Sequence, residues 1–239
     1  MIRNLIAAAC IALSAAAGFD AAAAETKRQR ERLVQEISNY AQALGERPRQ
    51  DVLAAMGAVE RHHFVPYYQR PYAYENRPLP IGNKQTISQP TVVAMMTHLL
   101  QPEAGDRVLE VGTGSGYQAA VLARLVDHVW SVEIVEELAC RSAETLAELD
   151  YDNVTVRHSD GYAGWPEQAP FDGIIVTAGA EEVPPPLIEQ LAPGGRLVMP
   201  VGPVGGVQEL LVFEKDANGE LSRRRSIPVR FVPLTREVR

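Results

Sequence analysis

Arg107 to Gln118 reads RVLEVGTGSGYQ, an apolar strand-like run that enters glycines at 112, 114 and 116 and continues into helix-forming residues. Glycine at alternate positions lets the backbone turn tightly and approach a ligand that any Cβ would repel. The helix N-terminus beyond it offers free N–H groups. A loop of this shape is suited to a nucleotide cofactor. A glycine turn after a strand is common by itself, so the flanking residues must decide what it does.

Spacing narrows the ligand. A dinucleotide fingerprint places its third glycine where Tyr117 stands, whereas GxGxG with Glu110 two residues before Gly112 favours S-adenosylmethionine over NAD. After a helix-like run Gln118 to Val126, HVWSVEI (128–134) alternates apolar and polar residues and carries Glu133. An acidic residue at the tip of the second strand, about 20 residues past the glycines, accepts hydrogen bonds from ribose hydroxyls in doubly wound folds.

From Arg107 onward strands and helices alternate: strand 107–111, helix 116–126, strand 129–133, helix 136–149, strand 154–158, strand 171–176, helix 186–191 and strand 196–201. Alternation of this kind predicts a parallel sheet with helices on both faces. Glu209 to Phe213 and Ile227 to Val232 are strand-like and separated by a polar loop around Asn218-Gly219, which predicts an antiparallel hairpin. The expected fold is therefore α/β, a Rossmann-like, doubly wound and mostly parallel sheet with a C-terminal antiparallel pair. An N-terminal helical extension precedes it. Leu33, Ile37, Tyr40 and Leu44 give the first helix an apolar stripe, 50–59 forms a second, and a third starts at the proline before TVVAMMTHLL (91–100). Prolines 66, 71, 78 and 80 make 63–80 irregular.

The 239 residues suit one compact domain over 25–239, divided into a helical and substrate-loop region (25–106) and a cofactor-binding core (107–239). Arg3, the apolar alanine-rich run Leu5 to Phe19 and the small residues Ala21 to Ala24 predict a secretory signal over 1–24, too short for a membrane span. This places the protein in the periplasm or outside the cell, with the cytoplasm as the alternative. Removal of the signal leaves Cys140 alone, so no disulfide framework forms, and its place mid-helix suggests a small core residue. His62, His63, His98, His128 and His158 show no ligand spacing, and no metal is expected. A net charge of −7 argues against nucleic acid as a partner.

Three further stretches carry a family resemblance: LPIGNKQTISQP (79–90), FDGIIVTAGAEEVPPPLIEQLAPGGRLVMPVG (171–202) and RFVPLT (230–235). Together with the glycine loop they resemble the protein-L-isoaspartate O-methyltransferases, class I S-adenosylmethionine-dependent enzymes, over nearly all of 32–235. The resemblance implies methyl transfer to the α-carboxylate of L-isoaspartyl residues in aged proteins, which are then the partners of a protein expected to be a monomer. It implies cofactor contacts at Gln85, Thr86, Ile87, Glu110, Gly112, Gly114, Glu133, Asp160, Gly161 and Thr235, and an active-site serine at Ser88. Asn83-Lys84 departs from the smaller residues expected before Gln85. The carboxylate substrate is ionised at neutral pH, so Ser88 needs to orient it and need not act as a covalent nucleophile; a helix cap is its plain structural alternative. Two other functions remain open at this stage: methylation of another carboxylate or small molecule, and cofactor binding without catalysis.

Overall fold

The computed structural model describes the backbone of residues 2–236 and the side chains of 23–236. Seven strands form the central sheet: β3 (Arg107–Val111), β4 (His128–Glu133), β5 (Val154–His158), β6 (Phe171–Val176), β7 (Leu191–Val201), β8 (Gln208–Lys215) and β9 (Leu221–Val229). Their order is β5-β4-β3-β6-β7-β8-β9. The strands from β3 to β7 pair in parallel, while β8 and β9 pair antiparallel at one edge. The chain leaves β3 toward β4 and β5 and returns on the other side through β6. That reversal opens a crevice between the carboxyl ends of β3 and β6.

The central strands β3 and β6 are near-continuous apolar runs because both faces are covered. Val108, Leu109, Ile174, Ile175, Leu197 and Val198 are fully buried, each such side chain contributing about 1.5–3 kcal/mol relative to exposure. One face is covered by α4 (Tyr117–Ala123) and α5 (Glu136–Glu148), whose first turn carries Glu136 and Glu137 where the helix dipole favours them. α6 (Pro185–Glu189) leads into β7.

The N-terminal region contains α1 (Ile2–Ala43), α2 (Gln50–Ala58) and α3 (Pro90–Leu100). α1 docks through Leu33, Ile37 and Ala41, spaced four apart. Tyr40 and Leu44, expected in that stripe, are exposed because they fall beside this row. The signal boundary expected after Ala24 falls within α1, and the side chains of residues 1–22 lie outside the described ones.

At the end of the irregular segment the structure adds a feature that Pro78 and Pro80 hid. β1 (Leu79–Gly82) and β2 (Gln85–Ile87) make an antiparallel hairpin separate from the main sheet. Asn83 (φ 50°) and Lys84 (φ 59°) both sit in the left-handed region at its tip. Two further expectations are corrected. Cys140 is exposed, since α5 buries Leu138, Ala139, Ser142 and Leu146 on the opposite side. The last strand runs over 221–229 rather than 227–232. The Asp216 carboxylate accepts hydrogen bonds from the Asn218 and Glu220 N–H groups, both at 2.8 Å, so the turn closes early and Leu221 pairs with Lys215.

Candidate active site

Gly112 follows β3 directly and adopts φ 97°, a backbone conformation that an alanine would hold only under strain. Its N–H donates to the Val132 carbonyl at 2.8 Å, and its own carbonyl accepts from the Thr177 hydroxyl at 2.5 Å. A Cβ on Gly112 would stand 2.5 Å from that hydroxyl oxygen. The loop is thus pinned between β4 and the end of β6. Gly116 takes φ 86° to start α4, packing where a Cβ would meet Leu146 at 3.2 Å.

Glu133 ends β4 and is 6% exposed. One carboxylate oxygen accepts from the Gly114 N–H at 2.7 Å and the other from Val135 N–H at 2.9 Å. A carboxylate offers about four lone-pair positions, so acceptor capacity remains on the side facing the crevice. Glu133 is therefore both a strut of the glycine loop and a free acceptor beside it.

A cleft runs across this surface. The β2 segment Gln85 to Ser88 forms one wall, while Gly112, Gly114 and Glu133 form the opposite one. Gly161, Thr177 and the run Val232 to Thr235 complete it. A neighbouring depression shares Thr86, Ser88, Thr177 and Val232 with the cleft and extends toward Arg230 and Phe231. Ser88 stands where the two meet. It does not cap α3: Gln89 occupies the cap position without a side-chain bond, and the first turn is held by Asn76 Oδ1, which accepts from Thr91 N at 3.1 Å and Thr91 Oγ1 at 3.0 Å.

Of the residues proposed from the sequence, Ser88, Gln85, Thr86, Ile87, Gly112, Gly114, Glu133, Gly161 and Thr235 line the cleft. Glu110 and Asp160 do not. Glu110 is fully buried one residue before the end of β3, beside Ser131 of β4. It accepts a short hydrogen bond from Ser131 Oγ, which lies 2.5 Å from Thr113 Oγ1. Its other oxygen has no partner, and burial pushes its pKa up to about 8, so it is largely protonated at neutral pH. Asp160 accepts from the Tyr162 N–H at 2.9 Å and faces Arg236 at 3.6 Å, which holds the turn at Gly161. At Gly161 a Cβ would come 2.5 Å from Val111 Cγ1.

Sequence reasoning missed Gln118. It lines the cleft from the first turn of α4, and its amide nitrogen donates to Thr97 Oγ1 at 2.9 Å. Its position directly after the glycine loop was the available signal. Among the described residues one trio of possible metal ligands, Glu60, His62 and His63, comes together away from the cleft. Its atoms face protein partners: Glu60 pairs with Arg30 and with His63, and His62 Nδ1 lies 2.6 Å from the Tyr74 hydroxyl.

Comparison with known proteins agrees with this arrangement. Residues 28–239 match the family model described as protein-L-isoaspartate(D-aspartate) O-methyltransferase. A protein-L-isoaspartate O-methyltransferase 2 from Syntrophobacter fumaroxidans is 54% identical over 232 residues, covering 93% of each chain. Another from an Anaeromyxobacter species is 50% identical over 242 residues, covering 99% of each. A solved protein-L-isoaspartate O-methyltransferase superimposes with a TM-score of 0.78 at 29% identity, covering 87% of this chain and 67% of that one. A putative Plasmodium falciparum enzyme of the same name, solved with S-adenosyl-L-homocysteine, gives 0.71 at 26% identity, covering 84% and 98%. The chain belongs to the protein-L-isoaspartate(D-aspartate) O-methyltransferase family.

Proposed function

We propose that this protein esterifies the free α-carboxylate of L-isoaspartyl residues in damaged proteins and peptides, using S-adenosylmethionine, and so begins their repair. The observation that carries the reading is one cleft, in a chain of this family, with Glu133 and the glycine loop on one wall and Ser88 on the other. The residues fit the cofactor. Glu133 keeps acceptor capacity for ribose hydroxyls, and Gly161 leaves a side-chain-free surface for the adenine ring, with Asp160 acting through the turn it holds. Glu110, with Ser131 and Thr113, supports the loop from beneath. The binding of S-adenosyl-L-homocysteine by the Plasmodium relative supports the same assignment.

When bound, S-adenosylmethionine supplies an electrophilic methyl group. The protein's own task is then alignment and dryness. A carboxylate with a reference pKa near 4 is already ionised at neutral pH, so no base is required. Near-attack positioning can supply about 7–11 kcal/mol of the barrier reduction. Ser88 sits at the junction of cleft and depression, where its hydroxyl can donate to one carboxylate oxygen and leave the other free to react. Ile87, Val232 and Leu234 give that junction apolar walls that exclude water. In the ester product the neighbouring backbone amide nitrogen displaces methanol to close a succinimide, which water opens in part to a normal aspartyl linkage.

Methyl transfer from labelled S-adenosylmethionine to paired peptides, one with L-isoaspartate and one with aspartate, tests the reading. Transfer to the isoaspartyl peptide alone is expected; cofactor binding without transfer to either would refute it. In calorimetry Glu133→Ala should weaken the cofactor by about 30-fold, since a buried charged hydrogen bond is worth about 1.5–3 kcal/mol.

The sequence of 1–24 supports export to the periplasm or beyond, retention in the cytoplasm being the alternative. Recovery from the periplasmic fraction with Glu25 as first residue is the expected outcome, and an intact Met1 in the cytoplasm would reject it. No helix among the described residues is long and apolar enough to cross a membrane. We expect a monomer by sedimentation.

A further inference from the structure

Arg61 is completely buried, yet no carboxylate among the described residues lies within 4.0 Å of it. Its guanidinium is bound by backbone carbonyls from separate points of the chain: Nη1 donates to Ala73 O at 2.5 Å, and Nη2 donates to Arg77 O at 3.3 Å and Ser88 O at 3.1 Å. Its central carbon lies 5.6 Å from the ring centroid of Tyr117, the first residue of α4 after the glycine loop. Nε has no partner. Burial pulls the guanidinium pKa down to about 10, which leaves it protonated at neutral pH.

A buried cation without a counter-ion is expensive, and for packing alone an apolar side chain would serve as well or better. What only a guanidinium supplies is a rigid planar fork of donors, able to bind several carbonyls at once while stacking on an aromatic ring. The residues it joins are informative. Ser88 belongs to the substrate wall and Tyr117 to the cofactor wall of the same cleft.

We propose that Arg61 is a positioning residue for methyl transfer: it fixes the Ser88 backbone against the cofactor helix and places an uncompensated positive charge behind the seat of the anionic substrate. The inference rests on the function proposed above and adds two separable roles. The fork sets the geometry of Ser88, which governs the chemical step. The charge favours entry of a carboxylate, which governs substrate affinity. Lysine keeps the charge but binds as a single point, and methionine keeps only bulk.

The test compares wild type, Arg61→Lys and Arg61→Met in full-length protein, with folding checked by circular dichroism and thermal unfolding. Wild-type turnover on isoaspartyl peptide tests the underlying function by itself, so a failure there is distinct from a failure here. Both variants should keep S-adenosylmethionine affinity within about threefold while kcat falls about 100-fold, the scale on which a 1 Å misplacement acts. The peptide KM should rise about 10-fold in Arg61→Met and stay near wild type in Arg61→Lys, because the attraction of one charge for a carboxylate several ångströms away at an effective dielectric near 20 is on the order of a tenfold effect. Unchanged kcat in a folded variant would overturn the proposal. So would equal losses of cofactor affinity and turnover, which would mark a purely structural role. Should both variants fail to fold, Arg61→Gln, which keeps two donors and no charge, replaces them; it must raise peptide KM about 10-fold with a smaller loss in kcat, or the division of roles is wrong.

Discussion

The glycine-loop wall of the cleft consists of strand ends held in register by the central sheet, with Gly112 bonded to β4 on one side and to Thr177 after β6 on the other. The Ser88 wall is a short hairpin that pairs with no strand of that sheet. Two long side chains tie it down, Arg61 to the Ser88 carbonyl and Arg141 Nη2 to the Ile81 carbonyl at 2.5 Å, and Asn76 holds the start of α3 that follows it. A two-stranded hairpin has little stability alone. The comparison teaches that the glycine-loop wall is rigid in its backbone, while the hairpin wall, which carries Ser88 beside the cofactor contacts expected at Gln85 to Ile87, owes its position to a few side chains.

The hardest blow to the rigid wall is Gly112→Ala. The new Cβ would approach the Thr177 hydroxyl oxygen at 2.5 Å in a residue with φ 97°. Strain of this kind costs about 3 kcal/mol, to be read from urea unfolding, and cofactor affinity should drop about 100-fold. Affinity within threefold of wild type would mean that the loop yields as easily as the hairpin.

Glu110 gives the same wall a pH dependence. Burial raises its pKa to about 8, so the folded protein retains a proton that the unfolded chain loses near pH 4.3. Its contribution to stability is therefore full below about pH 4.3 and is lost as pH rises toward 8. Glu110→Gln should match wild type near pH 4 and exceed it by about 4–5 kcal/mol at pH 8. Parallel stability curves for the two proteins would show that Glu110 is not protonated beneath the loop.

On the hairpin wall, Ser88→Ala should lower kcat/KM for isoaspartyl peptide about 10-fold, the value of one hydrogen bond to a charged group, with cofactor affinity changed less than twofold. Equal loss of both would move Ser88 to the cofactor wall and erase the contrast.

The same contrast explains what could be read from the sequence. The strands 107–111 and 171–176 were legible to the residue because apolar runs have one outcome in the buried middle of a sheet, and the edge strand 154–158 because Val154, Thr155 and Val156 favour extended backbone. Glu133 and the glycines were legible because their spacing follows from backbone geometry. The burial of Glu110 against Ser131 of the next strand was not legible, because the motif does not encode what its side chain meets. The β1–β2 hairpin was hidden by its prolines, and nothing in the sequence singles out Arg61. Its partners are backbone carbonyls, which every residue has, so no pattern of side chains announces them.

Lys84→Gly is the mildest change and the most direct probe of the hairpin. Asn83 and Lys84 both hold left-handed backbone at its tip, a turn that strongly favours Asn-Gly. Asparagine tolerates the conformation, but a lysine there costs about 1–2 kcal/mol. Glycine removes the strain yet adds freedom to the unfolded chain, which returns about 0.4–1 kcal/mol. The net gain should be about 0.5 kcal/mol, seen as a rise in melting temperature of about 1–2 °C. Lys84 is exposed, and no hydrogen bond or ion pair of its side chain is found among the described residues, so nothing else should be lost. If melting rises as expected while peptide KM is unchanged, the strained tip is incidental to the substrate wall. If KM rises, the lysine is held in strain because its ammonium meets the polypeptide, and the hairpin takes part in recognition beyond Ser88.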